Sequence, residues 1–335
     1  MYAWLVLAYN ILVILWGTVV RATGSGAGCG DHWPLCEGQV IPHAAQIATL
    51  IEFAHRVSSG LAVALVAGLV YFAFRRVAAR HPARRYAAAA LFFTLTEGLI
   101  GAALVLFGQA GNNVSTSRVC LLSLHMVNTF LLLASLALTA GSVSEGLAAS
   151  SRQDLAEGAA QPRTPATGLA IAFAAGLTGT LAIAVTGTIT ALVDTLFPAT
   201  SLTQGLQWDF SRSSNFLLRL RVIHPAIAVL VGSFLIVLAA RILSTRAPAS
   251  AKSIARYLLA MVVLQFCFGA LDVVLLAPLW MQVLHLLTAD LIWITLVLLS
   301  AALLGRGDEA LPAQSCKPVS VANEASSVQR APVPR

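Results

Sequence analysis

The chain has 335 residues, of which 58% are hydrophobic and only 10% are charged, with a formal net charge of +7. A soluble domain carries charge on about a quarter of its residues, so this composition excludes an ordinary water-soluble fold. The long apolar runs lack the alternation of a transmembrane β-barrel. No basic stripe with interleaved aromatic residues indicates nucleic-acid binding. The composition predicts an all-α, polytopic protein of the lipid bilayer.

Eight apolar runs are long enough to cross a membrane, since each crossing needs about 20 apolar residues. We predict spans at about 3–20, 48–74, 86–107, 119–141, 168–191, 216–242, 254–276 and 280–304. The first run lacks the basic start and the small-residue cleavage site of a secretory signal peptide. We therefore expect it to be a retained helix.

The eight spans divide into two tandem four-helix bundles, residues 1–141 and 168–305. Between them, the polar segment 142–167 is rich in Ser, Gly and Pro and is predicted to be a cytoplasmic linker. After Gly305 the apolar pattern ends, and residues 306–335 are predicted to form a disordered tail.

Lysine and arginine concentrate on one side of this topology. With a cytoplasmic N-terminus, the inner loops and the tail hold fifteen of them, and the outer loops and outer helix ends hold six. This bias predicts a multi-pass protein of the cell inner (plasma) membrane with both termini cytoplasmic.

The first outer loop contains two cysteines, Cys29 and Cys36, in the stretch G-C-G-D-H-W-P-L-C-E-G. The spacing is not the short C-x-x-C of a thioredoxin-type motif. Thiols can oxidise outside a bacterial inner membrane. We therefore predict a disulfide that either stabilises the loop or acts as a redox relay.

Four histidines lie near the outer ends of the even-numbered spans: His55, His125, His224 and His285. At 1.5 Å per residue, each lies roughly 8–12 Å below the outer surface. The separations within the two pairs are similar, 70 and 61 residues. Each half can thus present two imidazoles at one level from two helices.

The two halves also share a short motif, because the stretch from Thr96 to Ala102 has an echo in residues 266–270. We infer a tandem duplication of a four-helix unit. Two imidazoles facing across a four-helix bundle suit axial ligation of a haem iron. The structural alternative is a set of packing histidines hydrogen-bonded between helices. Zinc is disfavoured, because no Cys or carboxylate completes a ligand set in the second half.

The position three residues before the first histidine differs between the halves: it is Glu52 before His55, and Arg221 before His224. Residues three apart share a helix face. A cation such as Arg221 beside His224 can hold haem propionates. The carboxylate beside His55 can serve proton transfer or stabilise a developing cation. The alternative is that Glu52 pairs with Arg56 at i,i+4.

With these residues in place, the chain resembles the haem A synthase family over nearly all of residues 1–305. The most specific marker is the stretch from Gly17 to Pro42, G-T-V-V-R-A-T-G-S-G-A-G-C-G-D-H-W-P-L-C-E-G-Q-V-I-P. Two shorter motifs support it, I-E-F-A-H-R at 51–56 and H-L-L-T-A-D-L-I-W at 285–293.

The resemblance implies an oxidoreductase that converts the C8 methyl group of haem O to a formyl group by successive hydroxylations. It implies that the first half binds the substrate haem O near His55 and His125, with Glu52 in catalysis. It implies that the second half holds a haem B cofactor through His224 and His285.

The resemblance also implies partners, a haem O synthase as donor and an electron acceptor, and a homo-oligomer is compatible with the sequence. Pro225 departs from the family, which commonly has Arg after this histidine. Arg219 or Arg221 is then the candidate propionate contact in the second half, and Arg56 in the first. The second half also lacks an outer-loop cysteine pair.

Two other functions remain open at this stage. A bis-haem transmembrane electron-transfer protein, similar to cytochrome b, would use the same four histidines without needing Glu52. A repeat-built transporter is disfavoured, because matching spans of the two halves show no helices broken by Gly or Pro.

Overall fold

The structure is a computed structural model that describes residues 1–43, 46–111, 113–153, 167–211 and 215–304. Within these ranges the chain is helical, and the one β-type pairing is an isolated bridge between Cys36 and Gln39. The predicted tail and residues 154–166 of the predicted linker lie outside the described residues.

Eight helical spans in this part of the chain are long and apolar enough to cross a membrane, which confirms the predicted fold class. The helices, including a short one in an outer loop, are α1 (Tyr2–Ala22), α2 (Ile47–Arg76), α3 (Ala83–Leu106), α4 (Thr116–Gln153), α5 (Thr167–Leu196), α6 (Leu202–Phe210), α7 (Phe216–Arg221), α8 (Ile223–Ser244), α9 (Ala249–Val274) and α10 (Leu279–Leu304). The protein is therefore a multi-pass membrane protein.

The sixth span differs from the prediction, because it is two helices, α7 and α8, that meet at Val222. The cause is Pro225, which has no N–H to donate to the carbonyl of Arg221 four residues earlier. The hydroxyl of Thr190 donates to that carbonyl instead, at 3.4 Å. The break lies directly before His224, so the proline shapes the helix at a candidate ligand.

Two further elements depart from the prediction. Helix α4 continues into the predicted linker, as far as Gln153. Helix α6 lies in the loop between the fifth and sixth spans, where no helix was predicted. Ser201 caps it by accepting a hydrogen bond from the backbone N–H of Gln204.

The membrane helices pack in two groups of four. In the first, α1 and α3 each contact both α2 and α4, and in the second, α5 and α9 each contact both α8 and α10. Each group encloses its own apolar core. This is the packing expected of two four-helix units.

The two groups meet along α1, α4, α5 and α10. Trp293 on α10 is buried in the core of the first group, where its indole N–H donates to the carbonyl of Phe130 at 2.6 Å. The two aromatic rings also pack, with centroids 5.2 Å apart. The halves therefore share a packed interface through the depth of the bundle.

Candidate functional site

The four histidines lie at similar depths, as predicted. His55 is eight residues from the start of α2 and His125 nine from the start of α4. His224 is eight residues beyond Phe216, where the sixth span begins, and His285 is six beyond Leu279. These positions put all four rings toward the end of the bundle that carries the disulfide loop.

The histidine rings of the second half face each other. The ring centroids of His224 and His285 are 6.4 Å apart, and the ring planes cross at 78°. A metal–imidazole bond is about 2 Å long, and a ring centre lies roughly 1 Å behind its nitrogen, so two imidazoles on one metal have centroids about 6 Å apart. The spacing in this half fits two axial ligands of one haem iron.

Glycines on the neighbouring helices make room for these rings. A Cβ atom at Gly187 would lie 3.0 Å from Cε1 of His224, and one at Gly269 would lie 3.2 Å from Cε1 of His285. The first half repeats part of this arrangement, since a Cβ atom at Gly17 would lie 3.3 Å from Cε1 of His55. Gly17 and Gly187 occupy the first helix of their respective halves.

Several imidazole nitrogens are buried without a hydrogen-bond partner among the described residues, namely Nδ1 of His55, of His125 and of His285. His224 differs, because its Nδ1 lies 3.3 Å from the hydroxyl of Thr186. A buried polar atom without a partner costs about 1–3 kcal/mol. These three rings are therefore not fully satisfied by contacts among the described residues, and each keeps a nitrogen for a further partner.

Glu52 is buried beneath the first outer loop, with 4% of its surface exposed. Its Oε2 atom accepts a hydrogen bond from the backbone N–H of Cys29 at 2.8 Å, and its Oε1 atom is 2.5 Å from Nη2 of Arg56. The i,i+4 ion pair that a structural role for Glu52 requires is therefore present. The same carboxylate also connects the helix to the loop.

The loop itself is closed by the predicted disulfide between Cys29 and Cys36, which the structure contains. Arg56 donates from Nη1 to the carbonyls of His32 and Leu35, both at 2.6 Å. The Glu52–Arg56 pair thus contacts both ends of the disulfide loop. Arg56 extends outward from the helix to do so.

Arg221, the counterpart of Glu52 in the second half, is held by two carboxylates. Nη1 lies 2.9 Å from Asp194 on α5, and Nη2 lies 2.6 Å from Asp209 on α6. Nη2 also donates to the carbonyl of Gly205. The guanidinium therefore fixes α6 over the outer end of the bundle, a role that sequence reasoning missed.

Arg21 joins the two halves on the outer side. It donates from Nη1 to the carbonyl of Ala191 and to the hydroxyl of Thr195, and from Nη2 to Oε1 of Gln282. The sequence indicated only that Arg21 follows an apolar helix. Its partners are more than 160 residues away, and no local pattern identifies them.

Glu97 on α3 is a further polar residue that sequence reasoning did not assign. Its Oε1 atom lies 3.6 Å from Nδ1 of His125. The one available signal was its place in the motif that recurs in the second half. By that register its counterpart is Gln265, whose Nε2 lies 3.2 Å from Nε2 of His285.

Eight long apolar helices with paired histidines near one end of the bundle place the protein in the class of polytopic helical membrane proteins. The profile of the cytochrome oxidase assembly protein family COX15-CtaA matches residues 1–297, and the chain belongs to this family.

Individual relatives agree with the family. The chain is 44% identical over 306 residues to a protein of Thermus thermophilus named protoheme IX farnesyltransferase, and the match covers 91% of this chain and 48% of that protein. It is 42% identical over 100 residues to heme A synthases of Alkalihalophilus pseudofirmus and Halalkalibacterium halodurans, covering 30% of this chain and 34% of each of those proteins. The chain thus spans about half the length, or less, of these relatives.

Proposed function

We propose that the protein is a haem A synthase that oxidises the C8 methyl group of haem O to a formyl group. The observation that carries this proposal is a difference between the two histidine pairs, which otherwise have matching positions in the two halves. A buried carboxylate, Glu52, precedes His55 in one half, and an arginine precedes His224 in the other. The family and the relatives named heme A synthase support the same reaction.

In this proposal, the first half binds haem O through His55 and His125. The methyl group is hydroxylated twice, and the resulting gem-diol loses water to leave the formyl group. With water as the oxygen donor, each hydroxylation releases two protons and two electrons, and the electrons pass to an electron acceptor. Glu52 is the carboxylate nearest in sequence to the ligand of this half, and it takes up a proton or stabilises a developing cation.

The contacts of Glu52 supply the positioning that this role needs. The backbone N–H of Cys29 and the guanidinium of Arg56 hold both carboxylate oxygens. Removing either contact frees the side chain to rotate. The disulfide loop is therefore a positioning device for Glu52, and it also covers the outer end of the first-half site.

The second half holds haem B through His224 and His285, as their ring separation of 6.4 Å supports. When bound there, haem B supplies reversible one-electron chemistry. The protein contributes two fixed imidazoles and glycines that let the rings pack closely against the neighbouring helices.

The candidate propionate contacts differ in their availability. Arg56 is committed to Glu52 and loop carbonyls, and Arg221 is committed to two aspartates. Arg219 is exposed on α7 and forms no ion pair within the described part of the chain. We therefore favour Arg219 as the propionate contact of the second half.

Partners and location complete the proposal. A haem O synthase supplies the substrate, and the name of the Thermus thermophilus relative, a farnesyltransferase acting on protoheme, supports a link between the two reactions. An electron acceptor is required. Both termini lie in the cytoplasm and the membrane is the cell inner membrane, so the disulfide loop lies on the oxidising side.

The test is to co-express the chain with a haem O synthase in a host that lacks haem A. Membrane haems are extracted and identified by chromatography and mass. Haem A, or hydroxylated haem O, that is absent from a control without the chain would support the proposal. Only haem B and haem O, with haem-loaded protein and a competent redox partner present, would favour the electron-transfer function instead.

A further inference from the structure

Glu97 lies on α3 beside the imidazole of His125 on α4. Its Oε1 atom is 3.6 Å from Nδ1 of that ring. Nδ1 is buried and has no hydrogen-bond partner within the described part of the chain. A carboxylate thus lies next to an imidazole nitrogen that is otherwise unpaired, in a half whose proposed catalytic carboxylate is a different residue.

The position of this carboxylate is fixed from α4. The amide of Asn128 donates to Oε2 at 2.5 Å, and the hydroxyl of Thr129 donates to Oε1. Asn128 is itself held, because the hydroxyl of Thr96 donates to its Oδ1 at 2.6 Å. Since both oxygens are engaged, the carboxylate cannot rotate away from His125 without losing hydrogen bonds.

The second half has a neutral side chain at the matching position, beside the other ring nitrogen of its histidine. When Gly101-Ala102 is aligned with Gly269-Ala270, Glu97 matches Gln265. The amide nitrogen of Gln265 lies 3.2 Å from Nε2 of His285. Each half therefore places a side chain of the same length beside the histidine of its fourth helix. The one in the first half is a carboxylate, and the one in the second half is a neutral amide.

This difference has a chemical consequence for a metal ligand. A histidine that donates its second ring N–H to a carboxylate is fixed in orientation and becomes a more basic ligand. An amide cannot supply the same negative charge. With Oε1 of Glu97 at 3.6 Å from Nδ1, Nε2 of His125 is the nitrogen left available to a metal.

We propose that Glu97 is a positioning residue of the first-half site, which accepts the Nδ1 proton of His125 in a hydrogen bond and makes this imidazole a stronger electron donor than His285. The inference deepens the proposed function and depends on it only in taking His125 as a ligand of the substrate haem. A more basic ligand stabilises ferric relative to ferrous iron. Haem O in the first half is therefore held at a lower potential than it would be beside an amide.

The test is a reciprocal exchange in the full chain, Glu97→Gln and Gln265→Glu, purified in detergent with haem O added without oxygen. The measurements are the haem O affinity, and the midpoint potential and electron paramagnetic resonance spectrum of each haem. Glu97→Gln should weaken haem O binding about 10-fold, raise its potential and leave haem B unchanged. Gln265→Glu should lower the potential of haem B and leave haem O unchanged.

Thr94→Val is the matched control, because it removes a buried hydrogen bond on α3, to the carbonyl of Ala90, without touching Glu97, Asn128 or His125. It should leave both potentials unchanged. If Glu97→Gln binds haem O with the wild-type potential and spectrum, Glu97 only joins two helices and the inference is wrong. If Glu97→Gln does not fold, an unchanged haem B potential in Gln265→Glu overturns it.

A failure of the proposed function can be distinguished from a failure of the inference about Glu97. If the wild type binds haem O through His125 but makes no haem A, the proposed function fails and the exchange still decides the role of Glu97. If His125→Ala binds haem O with unchanged affinity and spectrum, the assignment of the ligand and the inference fail together.

Discussion

The two halves of the molecule share the positions of their paired histidines and differ in the residues around them. In both, a glycine on the first helix packs against the histidine of the second, at Gly17 in one half and Gly187 in the other. The neighbours of the histidines are acidic in the first half, where Glu52 and Glu97 lie. The histidine positions are therefore shared by the two halves, and the charge beside them differs.

The outer coverings differ as well. A disulfide loop held by Glu52 and Arg56 covers the first half. A short helix held by Arg221 covers the second. In each case, the residue three positions before a histidine holds the cover. The same repeat position has thus diverged in charge together with the structure that it fixes.

The largest expected effect is that of Glu52→Ala. This variant should make no haem A and should keep its haem B, because the change lies in the first half only. Removing the carboxylate partner of the partly buried Arg56 should also cost about 1.5–3 kcal/mol of stability. The measurement is the extracted haem content per folded protein, with thermal unfolding alongside. Normal haem A production would remove Glu52 from catalysis.

The corresponding change in the second half is Arg221→Gln. Asp194 and Asp209, both partly buried, would lose their shared cation, at a cost of about 1.5–3 kcal/mol. We expect earlier thermal unfolding and loss of haem B. Arg241→Gln, at an exposed position on the inner part of α8, is the control and should change stability by no more than about 0.5 kcal/mol. Equal behaviour of the two variants would contradict the role given to Arg221.

A smaller and more local effect is expected from Cys29→Ser combined with Cys36→Ser. Loss of the disulfide should destabilise the loop by about 2–4 kcal/mol and loosen the hold of Cys29 on Glu52. Haem A production should fall while haem B content stays constant, and limited proteolysis should cut the loop. Loss of haem B to the same extent would show that the loop does not act on the first half alone.

The smallest effect comes from a matched pair of glycines, Gly269 and Gly101. Gly269→Ala places a methyl group against His285, and such overpacking costs about 1–3 kcal/mol. We expect haem B binding about 10-fold weaker in a spectroscopic titration. A Cβ atom at Gly101 meets nothing within 4 Å. Gly101→Ala should therefore leave haem binding unchanged, and a loss there equal to that of Gly269→Ala would contradict the comparison.

Much of the fold was predictable because a membrane span is identified by a local run of apolar residues. All eight spans and the depth of the histidines follow from apolar runs and residue counting. The disulfide was predictable from two cysteines in one short outer loop. The break before His224 had a local signal in Pro225, and α6 had one in the capping pattern from Ser201 to Gln204.

The polar contacts could not be predicted in the same way. The ion pairs of Arg221 join three separate helices, and the contacts of Arg21 join the two halves. Glu97 approaches His125 because α3 packs on α4, and helix rotation within a bundle is not fixed by the apolar pattern of either helix. The charged residues were visible in the sequence, but their partners are determined by tertiary packing.

We propose that the first half binds haem O and the second half binds haem B, and haem content in four single variants tests this directly. The full chain is purified with His55→Ala, His125→Ala, His224→Ala or His285→Ala, and haem B retention and haem O binding are measured by absorption spectroscopy. We expect the His224 and His285 variants to lose haem B. The His55 and His125 variants should keep haem B and lose haem O. Low-spin haem B retained in both second-half variants would contradict this proposal.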